Sequence, residues 1–414
     1  MKTIGIVVAA LPAIVAIYAY GVYPLLLWAM GARRRPSSDV PEPLVMRPES
    51  GARAGGAAPM VTIVVPAHNE EVQIRGAIEA LIAQDYPRDR TQILVVSDGS
   101  SDRTNDVVAE YSGRVELLAI AKRGGKTAAE NASLPRIRGD IVVNTDASTR
   151  LHPSAVRHLV DRFADPHVGV ASTRDVSVDP AGGAANQAET EYVGYEMWVR
   201  SLETRAGGVV GASGSGYAIR ATLHRIPIRE DLSRDFSAAL TACRHGYIAV
   251  AVDDALCRVP RTTSLRSEYR RKVRTISRGM HTLLHNRALL DPHDFGLFSV
   301  KLLSHKVCRW LVPLLVVPSL VALVLLSASE PIARVLIGGA VVTAALAAIG
   351  AVLSSRRQLT GILSFITFAT AANVAVIHAA WRVLDGRRDQ LWEPTRRNTA
   401  VPSASNATGG AGAA

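Results

Sequence analysis

Long apolar segments lie toward both ends of the chain, and short apolar runs fill its middle. Residues 4–30 are almost wholly apolar and contain no charged side chain, so they are long enough to cross a bilayer as a helix. Further segments predict two to three C-terminal spans: Trp310–Leu326, Ile332–Leu353 and, weakened by two polar residues, Leu359–Leu384. The pattern predicts a membrane protein with a polar domain between its first span and the others.

The middle of the chain alternates short β-branched runs with helical patterns. The runs predict strands, and each ends in polar or acidic residues: Val61–Val65, Ile93–Val96 and Ile141–Thr145. Buried parallel strands of an α/β sheet have this pattern. Ligands of such sheets bind at the carboxyl ends of the strands, so we expect Glu70, Asp98 and Asp146 to line one crevice.

Three carboxylates in one crevice repel one another unless a cation joins them. Hard divalent cations bind carboxylate and phosphate oxygens, so a metal ion carrying a phosphorylated ligand is one interpretation. The alternative is that these acids are helix caps and turn formers. Asn69 before Glu70 is typical of a cap, and Asp98-Gly99 is typical of a turn. The residues by themselves leave both interpretations open.

The charge balance narrows the choice of partners. The formal net charge is +11, but the arginines cluster beside apolar segments and within one helix, without interleaved aromatics. Binding to a membrane surface and to phosphate therefore explains the excess better than binding to nucleic acid. Arg33, Arg34 and Arg35 follow the first span, which predicts a cytoplasmic polar domain. The three cysteines lack metal-ligand spacing and are interpreted as reduced.

Four motifs in a fixed order carry a family resemblance: Val65–Glu71, Ser97–Asp102, Gly124–Thr127 and Thr145–Ser148. In this order they resemble the inverting family 2 glycosyltransferases, membrane-bound enzymes related to bacterial cellulose, chitin and hyaluronan synthases. The resemblance continues to about Gly279 and covers the middle half of the chain. It implies an α/β GT-A fold, a Rossmann-like mixed sheet, in a cytoplasmic domain beside transmembrane helices.

The resemblance also implies a donor site and a cofactor. The donor is a nucleoside-diphosphate sugar, and the uridine-linked class is preferred. The matching positions for its binding are Pro66, Ala67, His68, Glu70, Asp98, Lys126 and Asp146. Asp98 is the expected contact of the nucleotide base. Asp146 is the expected ligand of Mg²⁺ or Mn²⁺.

A catalytic base and an acceptor side follow from the same resemblance. Asp235 matches the base of the family's acid pair, with Asp231 as the runner-up. The segment Gly214-Ser215-Gly216 matches the glycine-rich acceptor side. Arg271 and Arg274 are the expected contacts of the leaving diphosphate, with a basic amphipathic helix on anionic lipid as the alternative interpretation of their segment. The expected acceptor is a lipid carrier or a growing cell-envelope polysaccharide.

Several positions depart from the family pattern. Ser97, Ser148 and Arg234 stand where the family usually has acids. The tryptophan of the polymer synthases' Gln-x-x-Arg-Trp motif is missing after Arg274. Its absence favours one or few transfers, whereas several spans favour polymer export. The departures also leave room for another class of protein, a non-catalytic membrane transporter or scaffold with a degenerate nucleotide-sugar domain.

We predict a multi-pass protein of the plasma (inner) membrane with its catalytic domain in the cytoplasm. The predicted segments are an N-terminal transmembrane helix (1–35), a linker (36–60), a glycosyltransferase domain (61–263), basic amphipathic or interfacial helices (264–306), a C-terminal transmembrane region (307–385), and a basic, then disordered tail (386–414). The expected partners are a nucleotide sugar, a lipid or polysaccharide acceptor and the membrane.

Overall fold

The computed structural model describes residues 2–33, 58–178, 184–260, 264–354, 359 and 361–388. Contacts divide the chain into two compact units. The helical unit comprises Met1–Arg35, Ala181–Tyr195 and Thr262–Arg388, and the sheet unit comprises Pro36–Pro180, Glu196–Arg261 and Asp389–Ala414. Most of the predicted linker and of the predicted tail lies outside the described residues.

Strands and helices alternate through the sheet unit, and helices fill the helical unit. The strands are β1 Val61–Ala67, β2 Thr91–Asp98, β3 Glu116–Ile120, β4 Ile141–Thr145, β5 Arg150–Leu151, β6 Val168–Val178, β7 Gly216–Arg220 and β8 Ile248–Pro260. The helices are α1 Lys2–Ile17, α2 Tyr23–Arg33, α3 Ile74–Ile82, α4 Thr104–Ala109, α5 Lys126–Ser133, α6 Ala155–Asp161, α7 Ala184–Arg205, α8 Ala221–His224, α9 Arg234–Arg244, α10 Leu265–His285, α11 Pro292–Leu302, α12 Arg309–Leu326, α13 Pro331–Ser354 and α14 Gly361–Leu384.

The described strands form one mixed sheet in the order β3-β2-β1-β4-β7-β6-β8-β5. β1 pairs in parallel with β2 and β4, and β2 pairs in parallel with β3. β7 runs antiparallel to β4 and β6, whereas β8 is parallel to β6. Because of this reversal, the amino end of β7 at Gly216 lies opposite Thr145, the last residue of β4.

Apolar side chains cover both faces of the sheet, as expected for strands buried on two sides. Successive residues of one strand point to opposite faces, and Ile63 and Val64 of β1 accordingly belong to different core clusters. The cluster around Val64 includes Ala129 of α5 and Ala239 of α9. Helices α5 and α9 therefore pack on the same face of the sheet.

The strand predictions are correct in position and too short at three ends. β4 has the predicted limits, but β1 continues to Ala67, and β2 begins at Thr91 and continues to Asp98. The extension has a physical cause, because β1 and β2 remain paired up to Ala67 opposite Ser97. Polar residues are therefore tolerated inside the strand ends when the neighbouring ladder continues.

The helical unit contains the predicted spans. Among the described residues, four helical segments are long and apolar enough to cross a membrane: Lys2–Ala32, Pro292–Leu326, Pro331–Ser354 and Gly361–Leu384. The first of them includes a π-helical turn at Tyr18–Val22. The predicted amphipathic or interfacial segment, 264–306, forms α10 and α11, and the candidate span Pro292–Leu326 begins inside it. Val273 of α10 packs with Ala375 and Ala379 of α14.

Candidate active site

The loop that follows β1 is tied to the loop that follows β2. Ala67 ends β1, and the next residue, His68, donates a hydrogen bond from Nδ1 to the carbonyl oxygen of Asp98 at 2.7 Å. Asn69 has a φ of 52°, in the left-handed region that asparagine tolerates. Its Oδ1 accepts the N–H of Ser101 at 2.8 Å. The ends of the two strands are thus held together as one structure.

Pro66 lies where β1 has separated from β4. The ladder between the two strands covers Val61 to Val64 only, so the missing N–H of proline is compatible with its place near the end of the strand. Glu70 is buried, and its backbone N–H donates to the hydroxyl of Thr104 at 2.8 Å. Pro66, Ala67, His68 and Glu70 therefore form a buried segment at the carboxyl edge of the sheet.

Asp98 holds the glycine loop that leads into α5. Its side chain is 3% exposed. Its Oδ1 accepts the N–H of Gly124 at 2.7 Å, and its Oδ2 accepts the N–H of Gly125 at 2.7 Å. Gly125 has a φ of 96°, which favours glycine. These charge-assisted bonds fix the start of the helix that begins with Lys126. This is a second role for Asp98 beside the predicted contact with the base.

Lys126 bridges two segments of the site. Its Nζ donates to Asp146 Oδ1 at 2.5 Å and to the carbonyl oxygen of Gly214 at 3.2 Å. The side chains of Lys126 and Asp146 are 21% and 24% exposed. Burial lowers the pKa of Lys126, but Asp146 and two further carboxylates outweigh burial and raise the pKa above its usual value. Lys126 is therefore a fixed positive charge beside Asp146.

The donor atoms around Asp146 limit how a metal ion could be held. Among the described residues, no group of three or more His, Cys, Asp or Glu side chains could hold a metal. The interpretation in which one metal ion joins Glu70, Asp98 and Asp146 is therefore not favoured, since the Asp98 carboxylate accepts backbone N–H groups instead. Magnesium is often held by one or two carboxylates together with substrate phosphates. Asp146 fits that role as a single carboxylate.

The glycine-rich segment lies beside the end of β4. The carbonyl oxygen of Ser215 accepts hydrogen bonds from the hydroxyls of Thr145 at 3.0 Å and Thr149 at 3.3 Å. A Cβ atom on Gly214 would lie 2.9 Å from Asp235 Oδ2. A side chain at position 214 would therefore force the Asp235 carboxylate to move. The structure therefore brings together Lys126, Asp146, Gly214 and Asp235.

The two candidate bases have different surroundings. Asp235 lies in the first turn of α9, is partly buried, and its Oδ1 accepts a short hydrogen bond from the Ser233 hydroxyl. Asp231 is 5% exposed and precedes the helix. Arg229 donates to both of its oxygens, at 3.1 Å and 2.7 Å. Asp231 is therefore engaged in an ion pair, whereas Asp235 faces the glycine-rich segment.

Arg271 and Arg274 lie on α10, within the helical unit. Arg271 forms a bidentate pair with Glu268, with bonds of 2.9 Å and 2.6 Å. Lys272 Nζ lies 3.5 Å from the same carboxylate and 4.8 Å from the ring centre of Phe368. The basic face of α10 is therefore partly neutralised by an acid of its own first turn. The diphosphate role of Arg271 and Arg274 stays a prediction.

Sequence reasoning missed the side chains that support the glycine-rich segment. The Ser213 hydroxyl donates to the carboxylate of Asp175 on β6, with distances of 2.8 Å to Oδ1 and 2.7 Å to Oδ2. Arg200 of α7 donates to the Ser172 hydroxyl at 2.7 Å and to the carbonyl oxygen of Gly211 at 3.0 Å. No local sequence motif predicts these residues, because each forms hydrogen bonds with a segment that is distant in sequence.

Family models match most of the described chain. The glycosyl transferase family 2 model matches residues 62–210, and the glycosyl transferase family group 2 model matches residues 141–355. The second match covers more than half of the chain and includes both Asp146 and Asp235.

Curated relatives match part of the chain. A segment of 170 residues is 27% identical to a beta-monoglucosyldiacylglycerol synthase of Trichormus variabilis, and one of 173 residues is 31% identical to an N-acetylglucosaminyltransferase of Mesorhizobium japonicum. Each match covers 40% of this chain, with 36% of the first relative and 39% of the second. The chain thus spans little more than a third of the length of these relatives.

One solved structure is similar over nearly the whole chain. It is a mannosyltransferase from Pyrobaculum calidifontis, PcManGT, in complex with GDP-Man and Mn²⁺. The TM-score is 0.66 at 22% identity, and the match covers 92% of this chain and 100% of the other. At this identity the likeness concerns the fold, and it confirms the predicted GT-A sheet beside helices able to span a membrane. The predicted relation to cellulose and chitin synthases stays a prediction.

Proposed function

The chain belongs to glycosyl transferase family group 2, and from this premise we propose that it is an inverting, membrane-bound glycosyltransferase. The donor is a nucleoside-diphosphate sugar, and we favour the uridine-linked class. The acceptor is a lipid or a cell-envelope polysaccharide. The family supplies the reaction type, and the residues of this chain supply the more specific assignments.

The observation that carries the proposal is the convergence of opposite charges around Gly214. Lys126 contacts Asp146 and the Gly214 carbonyl oxygen, and Asp235 lies against the same glycine. Sugar transfer needs a base for the acceptor hydroxyl and positive charge for the departing diphosphate. A carboxylate and an ammonium group fixed on neighbouring segments meet both needs.

In the proposed reaction, Asp235 takes the proton of an acceptor hydroxyl. The acceptor oxygen then forms a bond to the anomeric carbon while the bond from that carbon to the diphosphate breaks, and the electron pair leaves with the diphosphate. Lys126 offsets the negative charge that develops there. Asp146 would hold Mg²⁺ or Mn²⁺, which adds positive charge to the phosphates when bound.

Asp235 is preferred over Asp231 because of what each carboxylate already binds. Both oxygens of Asp231 accept hydrogen bonds from Arg229, and an ion-paired carboxylate is a weaker base. Asp235 accepts a hydroxyl hydrogen bond and faces the segment that we assign to the acceptor. The surroundings of the two acids support this assignment.

Features of the chain and its relatives support a lipid-linked acceptor at a membrane. The helices able to cross a bilayer would hold the chain where such an acceptor resides. One relative is named a synthase of a glucosylated diacylglycerol. We propose a multi-pass protein with the sheet unit in the cytoplasm, since Arg33, Arg34 and Arg35 follow the first span.

The test is a transfer assay with membranes that contain the full chain. Labelled UDP- and GDP-sugars are supplied with Mg²⁺ or Mn²⁺, with and without excess chelator, and lipid-extractable and polymeric products are separated by size. The proposal expects metal-dependent label in product from a UDP-sugar, absent for D235N. If no donor gives either transfer or hydrolysis, the alternative of a non-catalytic membrane scaffold is favoured.

A further inference from the structure

A buried ion pair lies behind the candidate site. Arg234, the first residue of α9, is 4% exposed, and Glu130 of α5 is fully buried. The distance from Arg234 Nε to Glu130 Oε2 is 3.9 Å. Arg234 immediately precedes Asp235 in sequence, and Glu130 lies one helical turn after Lys126 on α5. The pair therefore joins the two helices that carry the candidate base and the candidate phosphate contact.

Glu130 is an unusual residue for a helix that packs on the sheet. Neither of its carboxylate oxygens has a hydrogen-bond partner within the part of the chain that the structure describes. Burial raises the pKa of its carboxyl, against the opposing charges of Lys126 and Arg234. A buried charge is tolerated when an opposite charge accompanies it. However, such pairs are weak evidence of a stabilising role.

The contacts of Arg234 show what the pair holds. Its Nη1 donates to Asn131 Oδ1 at 2.6 Å, and its Nη2 donates to the carbonyl oxygen of His224 at 2.8 Å. Asn131 in turn donates to the carbonyl oxygen of Ile228 at 2.6 Å. The guanidinium group thus links the start of α9 to α5 and to the loop that connects α8 with α9. This rigid planar fork fixes direction as well as distance.

We propose that Glu130 and Arg234 are positioning residues that fix Asp235 relative to Lys126. Neither touches the reacting atoms. The pair fixes the position of the start of α5 relative to the start of α9. It thereby fixes the position of Lys126, the cation for the diphosphate, relative to Asp235, the base for the acceptor. This inference rests on the proposed function, which assigns those roles to Lys126 and Asp235.

The decisive variant is E130M/R234M, which replaces both charged groups by unbranched apolar side chains. Replacement of a buried ion pair by apolar residues is often neutral for stability, but loss of the Arg234 contacts with Asn131 and His224 removes two hydrogen bonds, so we expect a folded variant with a modestly lower Tm. Misplacement of a catalytic group by about 1 Å can reduce turnover by about 10²-fold. We therefore expect kcat to fall by about that factor, while the KM for the donor stays close to wild type. Wild-type kcat in this folded variant overturns the inference.

A second substitution keeps the test decisive if the double variant does not fold. R234K retains the charge but lacks the planar fork, so it cannot reproduce both the Asn131 and His224 contacts. We expect a smaller loss of kcat with an unchanged donor KM, and wild-type kcat in R234K contradicts the inference.

R220M is the matched control. Arg220 donates to the carbonyl oxygens of Val168 and Asp165 at 2.8 Å and 3.1 Å, and its loss should lower Tm but not kcat.

A measurement without turnover separates this inference from the proposed function. Hydrogen exchange on the full chain in detergent is compared between wild type and E130M/R234M. We expect faster exchange in peptides that cover the starts of α5 and α9, and unchanged exchange in β1 and β2. Unchanged exchange at both helix starts overturns the inference whether or not a donor is found. If the wild type shows no transfer but the expected exchange difference is found, the proposed function is wrong. The inference that Glu130 and Arg234 fix the starts of α5 and α9 is then still supported.

Discussion

The two sides of the candidate site are held in different ways. On the donor side, Asp98 binds the amides of Gly124 and Gly125, and His68 binds a backbone carbonyl oxygen. On the acceptor side, Asp235 is held by a neighbouring hydroxyl and by close approach to Gly214. The donor side is therefore organised through backbone groups, whereas Asp235 on the acceptor side is held by a side-chain hydroxyl and by close packing against a glycine. Substitutions on the donor side should change donor binding, and those on the acceptor side should change turnover.

The largest expected effect is that of D235N. The amide keeps the size of the carboxylate but has no basic oxygen, and a general base typically contributes about 10²–10⁴-fold to rate. We expect kcat to fall by about that factor, with donor affinity nearly unchanged because the residue faces the acceptor. The measurement is steady-state transfer with membranes containing equal amounts of protein. D231N is the matched control, and an exchange of behaviour between the variants would identify Asp231 as the base.

K126M should have the next largest effect. It tests the residue that contacts both the donor side and the acceptor side of the candidate site. The variant removes the positive charge beside Asp146 and the contact with Gly214. Loss of one preorganised charged contact commonly costs about 10²–10³-fold in rate, so we expect kcat/KM to fall within that range. Since Lys126 touches both sides, donor KM and kcat should both change. An effect on stability alone, with normal kinetics, contradicts the assignment of Lys126 to the diphosphate.

D98A should affect binding more than turnover. It leaves the amides of Gly124 and Gly125 without their acceptor, at a cost of about 1–3 kcal/mol, and it removes the predicted contact with the base. We expect donor affinity to fall by about 10–100-fold, measured by calorimetric titration of the full chain with UDP. D106N, at an acid on the first turn of α4, is the control. Unchanged affinity in D98A removes Asp98 from the donor site.

The smallest expected effects on Tm and UDP binding come from substitutions at two glycines with positive φ. Gly99, after Asp98, has a φ of 61°, and an added Cβ would lie 2.9 Å from the backbone nitrogen of Arg123. Gly113 has a φ of 87°, and an added Cβ would meet nothing within 4 Å. G113A should cost about 1–2 kcal/mol from backbone strain. G99A adds a clash to similar strain and should lower Tm further and weaken UDP binding. Equal effects of the two substitutions on Tm and binding contradict a rigid donor side.

The donor side could be predicted from the sequence because its residues follow consecutive parallel strands. β-branched runs identified β1, β2 and β4, and the positions after each strand supplied Glu70, Asp98 and Asp146. The direction of the Asp98 side chain could not be foreseen, because its amide partners lie 26 and 27 residues later. The same amide contacts turn the Asp98 carboxylate away from the interpretation in which one metal ion joins the three acids. A pattern of strand ends predicts proximity and does not predict which atoms a carboxylate binds.

The acceptor side could be predicted only in outline. The family resemblance led to Gly214 and Asp235, but Glu130, Asp175 and Arg200 were missed. Glu130 lies 104 residues before its partner Arg234 in sequence, and it follows the Gly124–Thr127 motif on the same helix without belonging to it. Burial of such an acid is decided by packing of α5 and α9 on the same face of the sheet. The periodicity of a sequence shows which side of a helix is apolar, but it does not show on which face of the sheet that helix packs.

The configuration of the product is the most direct test of inverting transfer with Asp235 as the base. Membranes containing the full chain are incubated with the UDP-sugar that gives turnover, and the anomeric centre of the isolated product is assigned by NMR. In-line attack predicts inversion, so an α-linked donor should yield a β-linked product, and D235N should yield none. A product that retains the donor's configuration, or equal yield from D235N, would contradict in-line attack assisted by Asp235.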